Sequence, residues 1–168
     1  MTKGVRKAGK TLRDAERRRL AKARRGEAGA VPARAPAGAA VLWCDGGSRG
    51  NPGPAACGYV VESAGGEVLA SAAKRIGVAT VAVAEYRGLV AGLEAVHALG
   101  LRAVEVRSDS RLVVAQMTGA APVRSRSVTR LRDRAADLGT RIGTVTYRWI
   151  PAEENGRADR LVAATLHV

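Results

Sequence analysis

The chain has 168 residues, enough for one compact domain and too few for two ordinary ones, and 46% of them are hydrophobic, so a sizeable core can form. Aromatic residues make up 3% and Phe is missing, which leaves Val, Leu, Ile and Ala to build that core and makes base stacking on aromatic platforms a poor fit. The net charge of +13 points to a polyanionic partner, nucleic acid being the commonest, and it is uneven: residues 1–40 carry 12 Lys/Arg against 3 Asp/Glu, the rest 16 against 12.

Residues 1–39 read as a basic, flexible extension. "VRKAGKTLRDAERRRLAKARR" contains helix formers, but Leu12, Ala15 and Leu20 make too thin a stripe to bury. "GEAGAVPARAPAGAA" then reads as a Gly/Pro/Ala linker. Such an arm is a solvated tail, or a device that raises affinity for phosphate backbones without sequence preference, and the two are compatible. No apolar run is long enough to span a membrane, and no apolar segment follows the charged N-terminus, so neither a membrane span nor a secretory signal is expected.

The domain is expected to begin at residue 40. Val41 to Cys44 is a short apolar run suited to a central strand; Cys57 to Glu62 and Val68 to Ile76 predict two more, joined by a hairpin turn at Gly65-Gly66. Cys44 and Cys57 read as small buried hydrophobes of a reducing compartment, and a cytoplasmic location is the expectation. Ala82 to Leu99 repeats Leu89, Leu93 and Val96 at helical spacing, with Gly100 as the residue that ends the helix. Ala103 to Arg107 predicts a strand, Ser110 to Met117 a short helix, Ser127 to Leu138 a basic helix, Val145 to Ile150 a strand, and Asn155 to Leu166 the last helix. The order βββαβααβα implies an α/β domain with a mixed sheet flanked by helices.

Four acids stand out. Asp45 ends the first predicted strand and Asp109 ends "AVEVRSD", and a helical crossover between these strands would make them parallel, with both acids at the ligand-binding end. Singly, Asp45 suits a turn and Asp109 suits the N-cap of the helix opening at Ser110. Glu85 and Asp159 read as first-turn residues of their helices, favourable to the dipole, yet the spacing to Leu89 and to Val162 and Ala163 puts both on the apolar stripe. Buried carboxylates need positive partners, and no Lys or Arg sits at helical spacing to pair with all four. Hard divalent cations fit the oxygen donors, and two such ions clamping a phosphodiester would suit four carboxylates.

"DGGSRGNPGPAACGYV", "AEYRGLVAGLEAV", "SDSRLVVAQMTG" and "WIPAEENGRADRLVAATL" resemble, as a set and in order, the signature blocks of the ribonuclease HI family. The resemblance covers nearly all of residues 40–168 and implies an RNase H-like catalytic domain there, with a five-stranded mixed sheet. It implies a metal-dependent endonuclease that cuts the RNA strand of RNA–DNA hybrids, leaving 5′-phosphate and 3′-hydroxyl ends. Its cofactor would be two Mg²⁺ ions, with Mn²⁺ as a substitute, held by Asp45, Glu85, Asp109 and Asp159. The same resemblance implies substrate contacts at Gly46, Ser48, Asn51, Thr80, Ser110 and Asn155, and a monomer is expected. The glycine loop lacks the spacings of a nucleotide-binding P-loop or dinucleotide fingerprint.

The chain also departs from the family. Many relatives carry Thr-Asn-Asn shortly before the glutamate, where this chain has Thr80-Val81-Ala82. No His lies in "PAEENGR", and His97 and His167 read as packing and near-terminal residues. The basic protrusion of some members is missing, with Arg124, Arg126, Arg130, Arg132 and Arg134 and the N-terminal arm as possible compensation. Residues 1–40 contain no aromatic residue, so the hybrid-binding domain of some relatives is not expected. The alternatives are an RNase H-fold nuclease for double-stranded RNA or structured DNA, and a hybrid- or RNA-binding module with weak turnover.

Overall fold

Three strands in succession fold into a meander because tight turns separate them. The computed structural model describes residues 34–167, so the basic stretch 1–33 of the expected extension lies outside the described residues. Strand β1 (Ala40–Ser48) pairs antiparallel with β2 (Gly53–Glu62), and β2 pairs antiparallel with β3 (Val68–Ala79). Gly66, at φ +87°, takes the positive dihedral that the second turn requires. Helix α1 (Val81–Ala98) crosses back to β4 (Ala103–Ser108), which lies parallel to β1. Then come α2 (Arg111–Met117), α3 (Arg126–Ile142), β5 (Thr144–Trp149) parallel to β4, a 3₁₀ turn (Ala152–Asn155) and α4 (Gly156–His167). The sheet order is β3-β2-β1-β4-β5, the five-stranded mixed sheet flanked by helices that the element order implies.

Several boundaries differ from expectation. β1 does not stop at Asp45 but runs on to Ser48, because Asp45 to Ser48 pair with Gly58 to Ala55. Gly53 to Ala56 likewise join β2 rather than the loop, and β3 runs on to Ala79. Gly and Ala carry no apolar signal, yet backbone pairing needs none. α3 extends four residues past Leu138, since Ile142 continues the buried row of Val128, Ala135 and Leu138. Its last turn stops at Gly143, at φ +121°.

The core fills the face under α1 and α3. Leu42, Cys44, Val61, Val104, Val106 and Val145 from the sheet meet Leu89, Leu93, Val96, Leu138 and Ile142 from the helices. Both cysteines are buried free thiols. A smaller cluster of Trp43, Val60, Ile150 and Ala158, with Leu161 beside it, seats α4 on the opposite face. Tyr86, fully buried on α1, donates through its hydroxyl to Gln116 Oε1 of α2 at 2.9 Å.

The contact of α1 with β1 is made by backbone. A Cβ on Gly46 would stand 2.1 Å from the Ala84 carbonyl carbon, and one on Gly88 would stand 2.3 Å from the Asp45 carbonyl oxygen. The helix ends are fixed as well. Thr80 caps the N-terminus by accepting from the Val83 N–H at 3.2 Å, and Asn51 Oδ1 accepts from the Val81 N–H at 3.1 Å. At the other end, the Gly100 and Leu101 N–H groups donate to the His97 and Val96 carbonyls at 3.0 and 3.2 Å, a Schellman closure. Gly88→Ala should therefore cost about 3 kcal/mol in urea unfolding, since the added methyl meets backbone that cannot rotate away. A change under 1 kcal/mol would show that the helix can lift without penalty.

Candidate active site

The ladder between β1 and β4 ends at Trp43 opposite Arg107, while β1 continues against β2 to Ser48. Asp45 therefore sits where the parallel pairing ends, at the carboxyl end of β4, the position at which open α/β sheets bind ligands. Asp109 follows the last residue of β4. It is not the N-cap of α2: Ser110 is, its Oγ accepting from the Val113 N–H at 3.3 Å. The Asp109 carboxylate is thereby left for other work. Glu85 lies in the second turn of α1, and no acid stands in the first. Complementing the helix dipole does not account for it.

One carboxylate oxygen from each of Asp45, Glu85 and Asp109 lies within 4.8 Å of the others. Asp159 is outside this group. It stands in the first turn of α4 but is exposed, because the buried residues of that helix are Ala158 and Val162. The expected apolar-face position for Asp159 is thus corrected: the stripe passes one residue to its side. Its charge still reaches the site, as the smallest of the influences that shift Asp45.

The electrostatics are unfavourable as the cluster stands. Burial pushes Asp45 up to about 7, reinforced by Asp109 and opposed by the Gly46 backbone N–H. Burial pushes Glu85 up to about 9, with the Asp45 and Asp109 charges adding to it. The Cys44 thiol, behind the cluster, is raised by burial and then by Glu85, Asp45 and Asp109. Among the described residues, the ion pairs lie elsewhere and none involves these three acids. Hard oxygen donors, mutual repulsion and no protein cation are the conditions that a bound divalent metal satisfies.

Of the residues expected to meet substrate, the structure brings Asn155 into the cluster. It is fully buried, and its Nδ2 donates to the Cys44 carbonyl at 3.0 Å and to Asp109 Oδ1 at 2.9 Å, while its own Oδ1 has no partner. The others ring the site with side chains already engaged. Ser48 Oγ donates to the Gly53 and Ala79 carbonyls at 3.1 and 3.0 Å, Thr80 and Ser110 cap α1 and α2, and Asn51 holds the Val81 N–H. Gly46 has its Cα pressed against α1. Arg124, Arg126 and Arg130 are exposed at and before the start of α3 without an acid partner among the described residues, whereas Arg132 meets Asp133 and Arg134 meets Glu94.

Sequence reasoning missed one pair at the rim. Arg111 lies with its Cζ 3.7 Å from the Trp149 ring centroid, and Trp149 Nε1 donates to the Asp109 carbonyl at 3.1 Å. The two residues are far apart in the chain, and only the β4–β5 register, Ser108 opposite Trp149, makes them neighbours.

An acid cluster at the switch point of a mixed β3-β2-β1-β4-β5 sheet, with helices on both faces, defines a ribonuclease H-like domain. Residues 43–165 match the family described as Reverse transcriptase-like. The N-terminal RNase H domain of the Mycobacterium tuberculosis protein Rv2228c, solved as a fusion with maltose binding protein, superposes with a TM-score of 0.76 at 43% identity, covering 77% of this chain and 94% of that one. RNase H1 from the halophilic archaeon Halobacterium salinarum gives 0.74 at 41% identity, covering 77% and 98%. LC11-RNase H1, solved in complex with an RNA/DNA hybrid, gives 0.72 at 35% identity, covering 76% and 96%. The chain belongs to the ribonuclease HI family. It spans 34% of the full mycobacterial protein and 62% of the curated Halobacterium ribonuclease HI, to which it is 42% identical.

Both raised carboxyls bind protons more tightly folded than unfolded, so folding is unpenalised below about pH 4 and loses stability as pH rises through about 7 and about 9. The metal-free protein should accordingly melt at a lower temperature at pH 9 than at pH 6. Asp45→Asn should raise stability at pH 9 by about 1–3 kcal/mol, with little gain at pH 4. Equal gains at both pH values would mean that charge repulsion is not the cause.

Proposed function

We propose that this domain is an endonuclease that hydrolyses the RNA strand of RNA–DNA hybrids, leaving 5′-phosphate and 3′-hydroxyl ends. The observation that carries the reading is the convergence of Asp45, Glu85 and Asp109 without a protein cation. Membership of the ribonuclease HI family supports it, as does the hybrid complex of LC11-RNase H1. Asp45, Glu85 and Asp109, together with Asp159, whose charge reaches Asp45, would hold divalent cations, Mg²⁺ or Mn²⁺, which when bound would supply an activated water and stabilise the departing 3′ oxygen.

The chain's own residues do the positioning. Asn155 holds Asp109 Oδ1 by a hydrogen bond, fixing which way that carboxylate turns. Asp45 and Glu85 give up protons as the site fills, so cleavage rises with pH over the range in which they would otherwise stay protonated. Ser48, Asn51 and Thr80 tie the glycine loop to the start of α1, presenting a fixed backbone surface beside the acids. Such a surface suits a duplex read by shape, phosphates and 2′-hydroxyls. The basic extension at residues 1–39 adds sequence-independent attraction to the backbone.

A cleavage panel of RNA–DNA hybrid, duplex RNA and duplex DNA at equal salt, with Mg²⁺ or Mn²⁺, tests the proposal. The hybrid should be cut in its RNA strand, and Asp109→Asn should lower turnover at least 100-fold while hybrid binding changes less than threefold. Preferential cutting of duplex RNA or DNA would reassign the substrate, and full turnover in Asp109→Asn would remove the acids from the chemistry. Deleting residues 1–38 should weaken hybrid binding and flatten its salt dependence while leaving the chemistry intact.

A further inference from the structure

Residues 43 and 45 share a face of β1, and Trp43 packs there in the small core that seats α4. Its Nε1 donates to Glu62 Oε2 at 3.0 Å, and the other Glu62 oxygen accepts from Arg157 Nε. Glu62 is the last residue of β2 and only 5% exposed. A carboxylate that deep persists because both oxygens take strong donors, one of them charged. The Arg157 guanidinium lies 5.3 Å from the Trp43 ring centroid and that of Arg107 lies 4.9 Å from it, with Arg107 in turn held by Glu105 at 2.7 Å.

Arg157 belongs to the first turn of α4, midway between Asn155 and Asp159. This turn and the 3₁₀ residue before it meet β1 and the end of β2 in three ways. Ala158 packs in the small core with Trp43, Asn155 bonds the Cys44 carbonyl, and Arg157 reaches Glu62. Ala158, Leu161 and Val162 seat the body of the helix on the sheet. The two polar anchors, one before and one after Gly156, add directional contacts at its first turn. Asp159 follows two residues later, so the roll of this turn decides where its carboxylate stands relative to Asp45.

We propose that Glu62 and Arg157 are positioning residues: with Trp43 they fix the first turn of α4 so that Asp159 completes, with Asp45, a second cation site beside the one formed by Asp45, Glu85 and Asp109. The inference rests on the reading of the acids as cation ligands. The anchor lies on the face of the sheet away from α1, and its residues are not members of the carboxylate cluster.

Glu62→Gln and Arg157→Met in the full chain provide the test. Gln presents one oxygen and one N–H donor where two acceptors are needed, so one bond must break, while Met keeps an unbranched stem over the Trp43 ring at a side chain that is already 49% exposed. Three quantities are read: Mn²⁺ bound per protein, from the free-ion signal in electron paramagnetic resonance; the Mg²⁺ dependence of hybrid cleavage; and KM for the hybrid. Both variants should bind the weaker Mn²⁺ about tenfold less tightly and lose turnover at low Mg²⁺. High Mg²⁺ should restore that turnover, and KM should stay within twofold of the parent.

Unchanged Mn²⁺ binding and Mg²⁺ dependence would overturn the proposal. So would a loss that appears in KM and that Mg²⁺ does not restore, which would make Arg157 a direct contact for the nucleic acid. Should Glu62→Gln fail to fold, as judged by circular dichroism, Arg157→Met decides alone. A parent protein that binds no Mn²⁺ and cuts no hybrid would instead refute the proposed function, a result distinct from any change in the variants.

Discussion

The meeting of α1 and β1 backbone to backbone is the constraint on which the rest depends. Gly46 and Gly88 leave no side chain between helix and strand, so the helix lies as close as its own carbonyls permit. That closeness lets Glu85, on the helix, share a space with Asp45, on the strand. A helix held off by even one methyl layer would carry Glu85 away from the cluster. The caps at Thr80 and Gly100 then hold the helix along its axis, and the Tyr86–Gln116 bond ties it to α2, the helix that follows Asp109. The geometry of the acids is a consequence of glycine placement before it is a property of the acids themselves.

The cluster illustrates how a site can be assembled against its own electrostatics. Three carboxylates gather where burial and proximity both disfavour ionisation, and no Lys or Arg among the described residues relieves them. Nearby arginines are engaged elsewhere: Arg107 with Glu105, Arg157 with Glu62, and Arg111 over Trp149. The large core under α1 and α3 supplies the stability that makes this tolerable, and functional sites are where such local conflict is expected. The surrounding polar side chains spend their hydrogen bonds on caps and loop ties. The rim is therefore rigid before any ligand arrives.

Much of this was legible in the chain. Helical spacing placed α1 to within a residue at each end, and Gly66 and Gly100 marked their turns because a positive φ there needs glycine. The mixed sheet followed from element order. Strand ends built from Gly and Ala were not legible, since ladder bonds are invisible to hydrophobic patterning. Three of the four acids converge as expected; Asp159 was placed on the buried stripe because Val162 and Ala163 are apolar, yet the helix buries Ala158 and Val162 instead. Asp109, taken singly, reads first as a helix cap and joins the site only as one of four acids; the Ser110 geometry removes the cap reading. Trp43 with Glu62 depends on the register of β1 with β2, and Arg111 with Trp149 on that of β4 with β5, strands distant in sequence; no local signal encodes either register.

The bond from Asn155 to both the Cys44 carbonyl and Asp109 carries a consequence for the order of events during synthesis. The strand, the long helix and the β4 end that supply the first three acids are all made well before residues 155–159. A chain that ended between them would hold Asp45, Glu85 and Asp109 but neither the amide that bonds Asp109 nor Asp159. The orientation of Asp109 is thus tied to a segment translated late.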